Sequence, residues 1–117
     1  RYKAFKFDLG DVVADNASSS GFVIGPWQSA DVDISNLGML MEFNGRARQI
    51  GSSAAILGQP FRSLVAGARL SAQAGEPLQA GWIVMAGGAT AAEALSVGDY
   101  VRNSVQRLGS VSFSIGK

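Results

Sequence analysis

The chain has 117 residues, 47% of them hydrophobic, with ten basic and nine acidic side chains, a net charge of +1, and neither cysteine nor histidine. This balance excludes disulfides, thiolate nucleophiles, a Ser-His-Asp triad and any His- or Cys-ligated metal built from this chain alone, and it leaves no basic patch to suggest nucleic acid. One domain over residues 1–117 is expected, and with no apolar run near the roughly 20 residues that span a bilayer and no signal-peptide core, the chain reads as soluble and cytoplasmic.

Residues 2–9 alternate aromatic or apolar with charged or small side chains, the period of two that a half-buried strand requires. The chain opens on Arg1 inside this pattern, without an initiator Met, which suggests a piece of something longer. A turn is expected at Asp8-Leu9-Gly10-Asp11.

The next segment, Val12-Val13-Ala14-Asp15-Asn16-Ala17-Ser18-Ser19-Ser20, sets a carboxylate, an amide and three hydroxyls behind an apolar pair. By residue type alone such a cluster reads first as a turn, because Asp, Asn and Ser bond readily to nearby backbone, and second as the polar wall of a pocket. Asn16-Ala17-Ser18 also fits a glycosylation sequon, which is discounted without secretory features.

Residues 22–24 form a short apolar run closed by Gly25-Pro26, read as a brief strand or an extended loop edge, and residues 27–35 read as loop. Asp8, Asp11 and Asp15, or Asp31 and Asp33, lack the glycine and glutamate positions of a calcium loop and read as solvated carboxylates. Residues 37–43 and 46–51 flank Asn44-Gly45, a two-residue hairpin signal because both residues tolerate the positive φ of a type I′ turn.

Pro60 suits a first helical position, and Phe61, Leu64, Val65, Ala68 and Ala72 recur at helical spacing until Gly75 and Pro77 end the pattern, so one amphipathic helix is expected over residues 59–74. Residues 81–86 read as a buried strand stopped by Gly87-Gly88. For these two glycines a positive-φ turn and close backbone approach to a ligand are both open. Asp99 reads as turn chemistry and is left out of the site. Alternation over residues 100–115 predicts a C-terminal hairpin, giving a mainly β, α+β chain that carries one packed helix.

Val12 to Ser20 with Phe22-Val23-Ile24-Gly25 resembles a segment of the 2-keto-4-pentenoate hydratase and 4-oxalocrotonate decarboxylase family, within the fumarylacetoacetate hydrolase superfamily. Further segments resemble it in the same order: Gly51-Ser52-Ser53-Ala54-Ala55-Ile56-Leu57-Gly58-Gln59-Pro60, the run from Leu78 to Gly88, Gly98-Asp99-Tyr100-Val101, and Leu108-Gly109-Ser110-Val111-Ser112-Phe113. The resemblance covers nearly the whole chain but only the C-terminal half or so of a typical member. It implies the C-terminal part of a fumarylacetoacetate hydrolase-like mixed β-sandwich or roll.

The resemblance further implies a lyase that uses Mg²⁺, held by acidic side chains, to chelate a 2-oxo acid and act as an electron sink. Hard oxygen ligands suit such an ion. It places those carboxylates, and a lysine for proton transfer, upstream of the segment that begins here at Arg1, so that no catalytic residue is assigned in this chain and the isolated chain would be inactive. What remains is pocket wall: Ser18 near the substrate with Asp15 and Asn16 beside it, and the Gly87-Gly88-Ala89-Thr90 turn approaching the 2-oxo acid through Gly88 and Thr90.

The serine triplet and the 86–94 stretch with Tyr100-Val101-Arg102 look more like the decarboxylase branch, which removes carbon dioxide from 4-oxalocrotonate in meta-cleavage aromatic catabolism, than the hydratase branch, which adds water to 2-hydroxypentadienoate. The family implies a homo-oligomer and a possible hydratase partner. A non-catalytic β interaction domain stands as the alternative from another class.

Overall fold

The computed structural model describes residues 7–15, 17 and 19–117. Its centre is a four-stranded, wholly antiparallel sheet in the order β2-β1-β3-β4, formed by β1 (Gly38–Phe43), β2 (Arg46–Ser52), β3 (Tyr100–Val105) and β4 (Gly109–Ser114). Two helices, α1 (Leu9–Ala14) and α2 (Pro60–Gln73), and a 3₁₀ turn over Ser53–Ala55 lie outside the sheet.

Both expected hairpins are present. Asn44 and Gly45 take φ of 52° and 77°, the positive pair that a type I′ turn demands. The register shifts between Met41 and Glu42, so that Arg48 becomes the extra residue of a bulge; its guanidinium stands over the Phe43 ring at 5.6 Å from the centroid. Of the alternating residues in β3, Val101 is buried, at 3% exposure, and pairs with Phe43, at 5%, so the core lies where the two hairpins meet. Leu37 and Ile56 complete the buried apolar set among the described residues, and buried Ser53 accepts the Leu37 N–H at 2.7 Å while its own N–H donates to the Leu37 carbonyl.

An amide–carboxylate clasp joins the hairpins at one end. Asn44 Nδ2 donates to Asp99 Oδ1 at 3.0 Å, and the Tyr100 N–H donates to Asn44 Oδ1 at 2.9 Å. The Ser96 N–H first, then the Asn44 side chain, hold the Asp99 carboxyl below its ordinary value of 3.8. A carboxyl depressed in the folded state stabilises the fold above its unfolded pKa and loses that contribution as pH falls through the folded value. Asp99→Asn is therefore expected to reduce the acid-side fall of the urea midpoint between pH 6 and pH 3, a difference that an unchanged profile would disprove.

Helix α2 begins with Pro60 at its first turn, as expected, and closes in a Schellman motif: the Glu76 N–H donates to the Ser71 carbonyl, the Gly75 N–H to Ala72, and Gly75 takes φ of 86°. No residue of α2 is fully buried: on its apolar face Leu64 and Ala68 are half-buried while Phe61 and Val65 stay exposed, so the expected helix is present but only partly packed.

Three expectations are corrected. The predicted 2–9 strand falls partly on residues 1–6, outside the described set, and Leu9 begins α1 instead of ending a strand. Asp8-Leu9-Gly10-Asp11 is a helix start, not a turn, because Asp8 Oδ1 accepts the Asp11 N–H at 2.8 Å while the Asp8 N–H donates to Asp11 Oδ2 at 3.1 Å, a reciprocal capping box; with it, the single expected helix becomes two. Residues 81–86 form no buried strand: Ile83, Val84 and Met85 make no backbone–backbone hydrogen bond among the described residues, and Trp82 and Met85 are 57% and 72% exposed. Apolar continuity signals burial without saying against what. Among the described residues, 22–24 likewise pair with no strand and are the extended loop edge of the two readings.

The radius of gyration is 15.6 Å, against about 13 Å for a compact domain of this length. No helix among the described residues is long and apolar enough to cross a membrane.

Candidate functional site

Two segments carry the polar residues singled out in the sequence, and each is placed by different means. The first follows α1. Asp15 is the C-cap of that helix, with its N–H on the Asp11 carbonyl at 3.0 Å; it ends a helix instead of sitting in a free turn. Asn16 and Ser18 lie outside the described residues. Beyond them, Ala17, Ser19, Ser20, Gly21 and Phe22 line an open cleft of about 500 Å³ whose other wall is Ile83 and Met85. The serine-rich segment thus faces the apolar run that leads directly into Gly87-Gly88.

The second segment, residues 86–93, is a strap laid along β2 in the opposite direction. Ser63 Oγ of α2 donates to the Ala86 carbonyl at its start. Gly87 then takes φ of 133°, with Ile56 beneath it. A Cβ built on Gly51 would lie 2.7 Å from both the Ala89 carbonyl oxygen and Thr90 Cγ2, so backbone and strap are in contact there only because Gly51 has no side chain. Gln49 Nε2 donates to Glu93 Oε1 at the far end. Gln49 and Gly51 are two residues apart in β2 and share a face, which is the face the strap covers.

Of the two readings of the glycine pair, the positive-φ turn applies to Gly87, since Gly88 does not take a positive φ. Thr90 turns its methyl toward β2, and its hydroxyl makes no hydrogen bond among the described residues. The structure therefore places Gly88 and Thr90 together on the strap and Asp15 at the end of α1; neither Gly88, Thr90 nor Asp15 lines the 500 Å³ cleft. In the sequence Gly51 and Glu93 stood only inside segments that resemble the family, and Gln49 only inside the first hairpin, so none was singled out for the site. A glycine inside a strand pattern, a mark of close backbone approach, is the signal that could have found Gly51.

Among the described residues no group of three or more Asp, Glu, His or Cys could hold a metal ion. Asp31 and Asp33 are instead occupied by loop serines: Ser29 Oγ donates to Asp31 Oδ2 at 3.2 Å, and the Ser35 N–H donates to Asp33 Oδ1 at 2.9 Å, which lowers the Asp33 carboxyl below its ordinary value.

No protein-family model matches the chain. It is 63% identical over 114 residues to a 4-oxalocrotonate decarboxylase of a Pseudomonas species, covering 97% of this chain and 44% of that protein. A 2-keto-4-pentenoate hydratase of Paraburkholderia xenovorans is 36% identical over 86% of this chain and 38% of its own length. The fold matches a solved 4-oxalocrotonate decarboxylase of Pseudomonas putida, complexed with magnesium and adipate, at a TM-score of 0.91 and 44% identity, over 97% of this chain and 44% of that one. The chain thus spans less than half the length of the relatives it matches.

Proposed function

From its relation, over nearly all its length, to the 4-oxalocrotonate decarboxylases and 2-keto-4-pentenoate hydratases, we infer that this chain is the C-terminal portion of a decarboxylase acting on 4-oxalocrotonate. The observation that carries the reading is the difference in identity: 63% to a decarboxylase against 36% to a hydratase. Residues 1–117 form in this reading one domain of a longer lyase with the fumarylacetoacetate hydrolase-like architecture.

Magnesium enters through the solved relative and the sequence resemblance. The described residues do not offer a set of ligands that fits it, the resemblance assigns the ligands upstream, and no step of the reaction is routed through the ion here. This chain supplies the wall of the pocket. Ser18, with Asn16 and Asp15 beside it, would orient the substrate by hydrogen bonding. Gly88 would bring backbone close to the 2-oxo acid, and the Thr90 hydroxyl would donate to its carboxylate, so that loss of carbon dioxide starts from one fixed geometry. The enzyme is a cytoplasmic oligomer in this proposal, with a hydratase partner that would receive the unstable dienol.

The test replaces the matched 44% of the Pseudomonas decarboxylase with this chain and follows 4-oxalocrotonate consumption and carbon dioxide release with Mg²⁺ present. Decarboxylation within about tenfold of the parent, with the Ser18→Ala variant losing on the order of tenfold, a single hydrogen bond's contribution, is the expected result. Hydration of 2-hydroxypentadienoate without decarboxylation would assign the hydratase branch instead, and a folded chimera with neither activity would return the chain to the interaction-domain reading.

A further inference from the structure

We propose that Gly51, Gln49 and Glu93 form a positioning brace that sets the register of the Gly87-Gly88-Ala89-Thr90 turn; the inference rests on the reading above, in which that turn meets the substrate. The strap is fixed on both sides of the turn. Upstream, Ser63 Oγ donates to the Ala86 carbonyl; downstream, Gln49 Nε2 donates to Glu93 Oε1. Between these anchors the turn rests on Gly51, where any side chain would stand 2.7 Å from the Ala89 oxygen and from Thr90 Cγ2.

The contact with the Ala89 oxygen is with backbone, which cannot swing aside as the tip of a long side chain can. A methyl at position 51 must therefore lift the strap. Gly51 itself does not take a positive φ, so alanine there meets no conformational penalty in the strand and its effect comes from the displaced turn alone. The bulge at Arg48 lies immediately before Gln49, and bulges commonly re-aim the side chains next to them. Because the brace holds the turn proposed to meet the substrate and is not itself that turn, its residues act through Gly88 and Thr90.

The experiment uses the full-length chimera. In Gly51→Ala, KM for 4-oxalocrotonate is expected to rise roughly tenfold with kcat changed less than about threefold, the pattern of weakened ground-state and transition-state binding together. A merely structural defect would lower the folded fraction, and with it the apparent kcat, while leaving KM alone. Glu93→Ala is expected to raise KM in the same way, and Glu93→Gln, which keeps a carbonyl acceptor for Gln49, to stay within about twofold of the parent. Unchanged KM in Gly51→Ala overturns the brace, as does a Glu93→Gln variant indistinguishable from Glu93→Ala. The amide chemical shifts of residues 88–91 separate this inference from the proposed function: Gly51→Ala should displace them even in a chimera without turnover, and unchanged shifts overturn the brace on their own.

Discussion

Phe43→Ala is expected to cost this chain about 3–5 kcal/mol, the range for removing a buried aromatic ring and leaving its cavity. Among the described residues Phe43 is one of four buried apolar residues, with Leu37, Ile56 and Val101, and it sits on the central strand β1, where it pairs with Val101 of β3 and carries the Arg48 guanidinium on its face. With so small a core no neighbouring element can close the void, and a loss of that size is comparable to the whole stability of a small domain. Ile50→Ala is the control, because Ile50 is an exposed residue of β2, and substitutions at such sites stay within about 0.5 kcal/mol. Urea unfolding followed by circular dichroism reads both. Equal effects at the two positions would show that the core is not where the hairpins meet.

In a polypeptide of the relatives' length, residues 82–85 are expected to become the most strongly protected segment outside the four strands. Trp82, Ile83, Val84 and Met85 are exposed in this chain, and the backbone of the last three is unpaired among the described residues. Burying side chains of this kind contributes about 1.5–3 kcal/mol each, and pairing the backbone removes amide groups from rapid exchange. Contiguous apolar exposure on this scale marks a surface built to be covered, and the chain spans only 44% of the relatives' length. Hydrogen exchange compared between this chain and the full-length chimera should show protection of residues 82–86 rising at least roughly a hundredfold in the latter, about 2.7 kcal/mol of added stability. Equal exchange in the two would leave the run as true surface and remove a support for the longer lyase. Met85→Asp, which sets a charge on this run, should prevent assembly of the chimera while leaving the hairpins of the isolated chain intact.

Sequence alone determined the parts of this protein whose causes are local. Asn44-Gly45 dictates its own turn because few residues tolerate two consecutive positive φ angles, Pro60 and Gly75 bound α2 by what they forbid, and alternation along β3 and β4 records which side chains face the core. The ordered motifs also carried the relation to the decarboxylases, since they are spread over nearly the whole chain. Tertiary structure decided the rest. Residues 81–86 look like a core strand, yet among the described residues the four-stranded sheet forms without them and their side chains stay exposed. The setting of Gly88 and Thr90 belongs to the same class: it depends on Gly51, some 40 residues away, on Gln49 and on Glu93, and contacts between segments so far apart leave no period or spacing in the sequence from which they could be read.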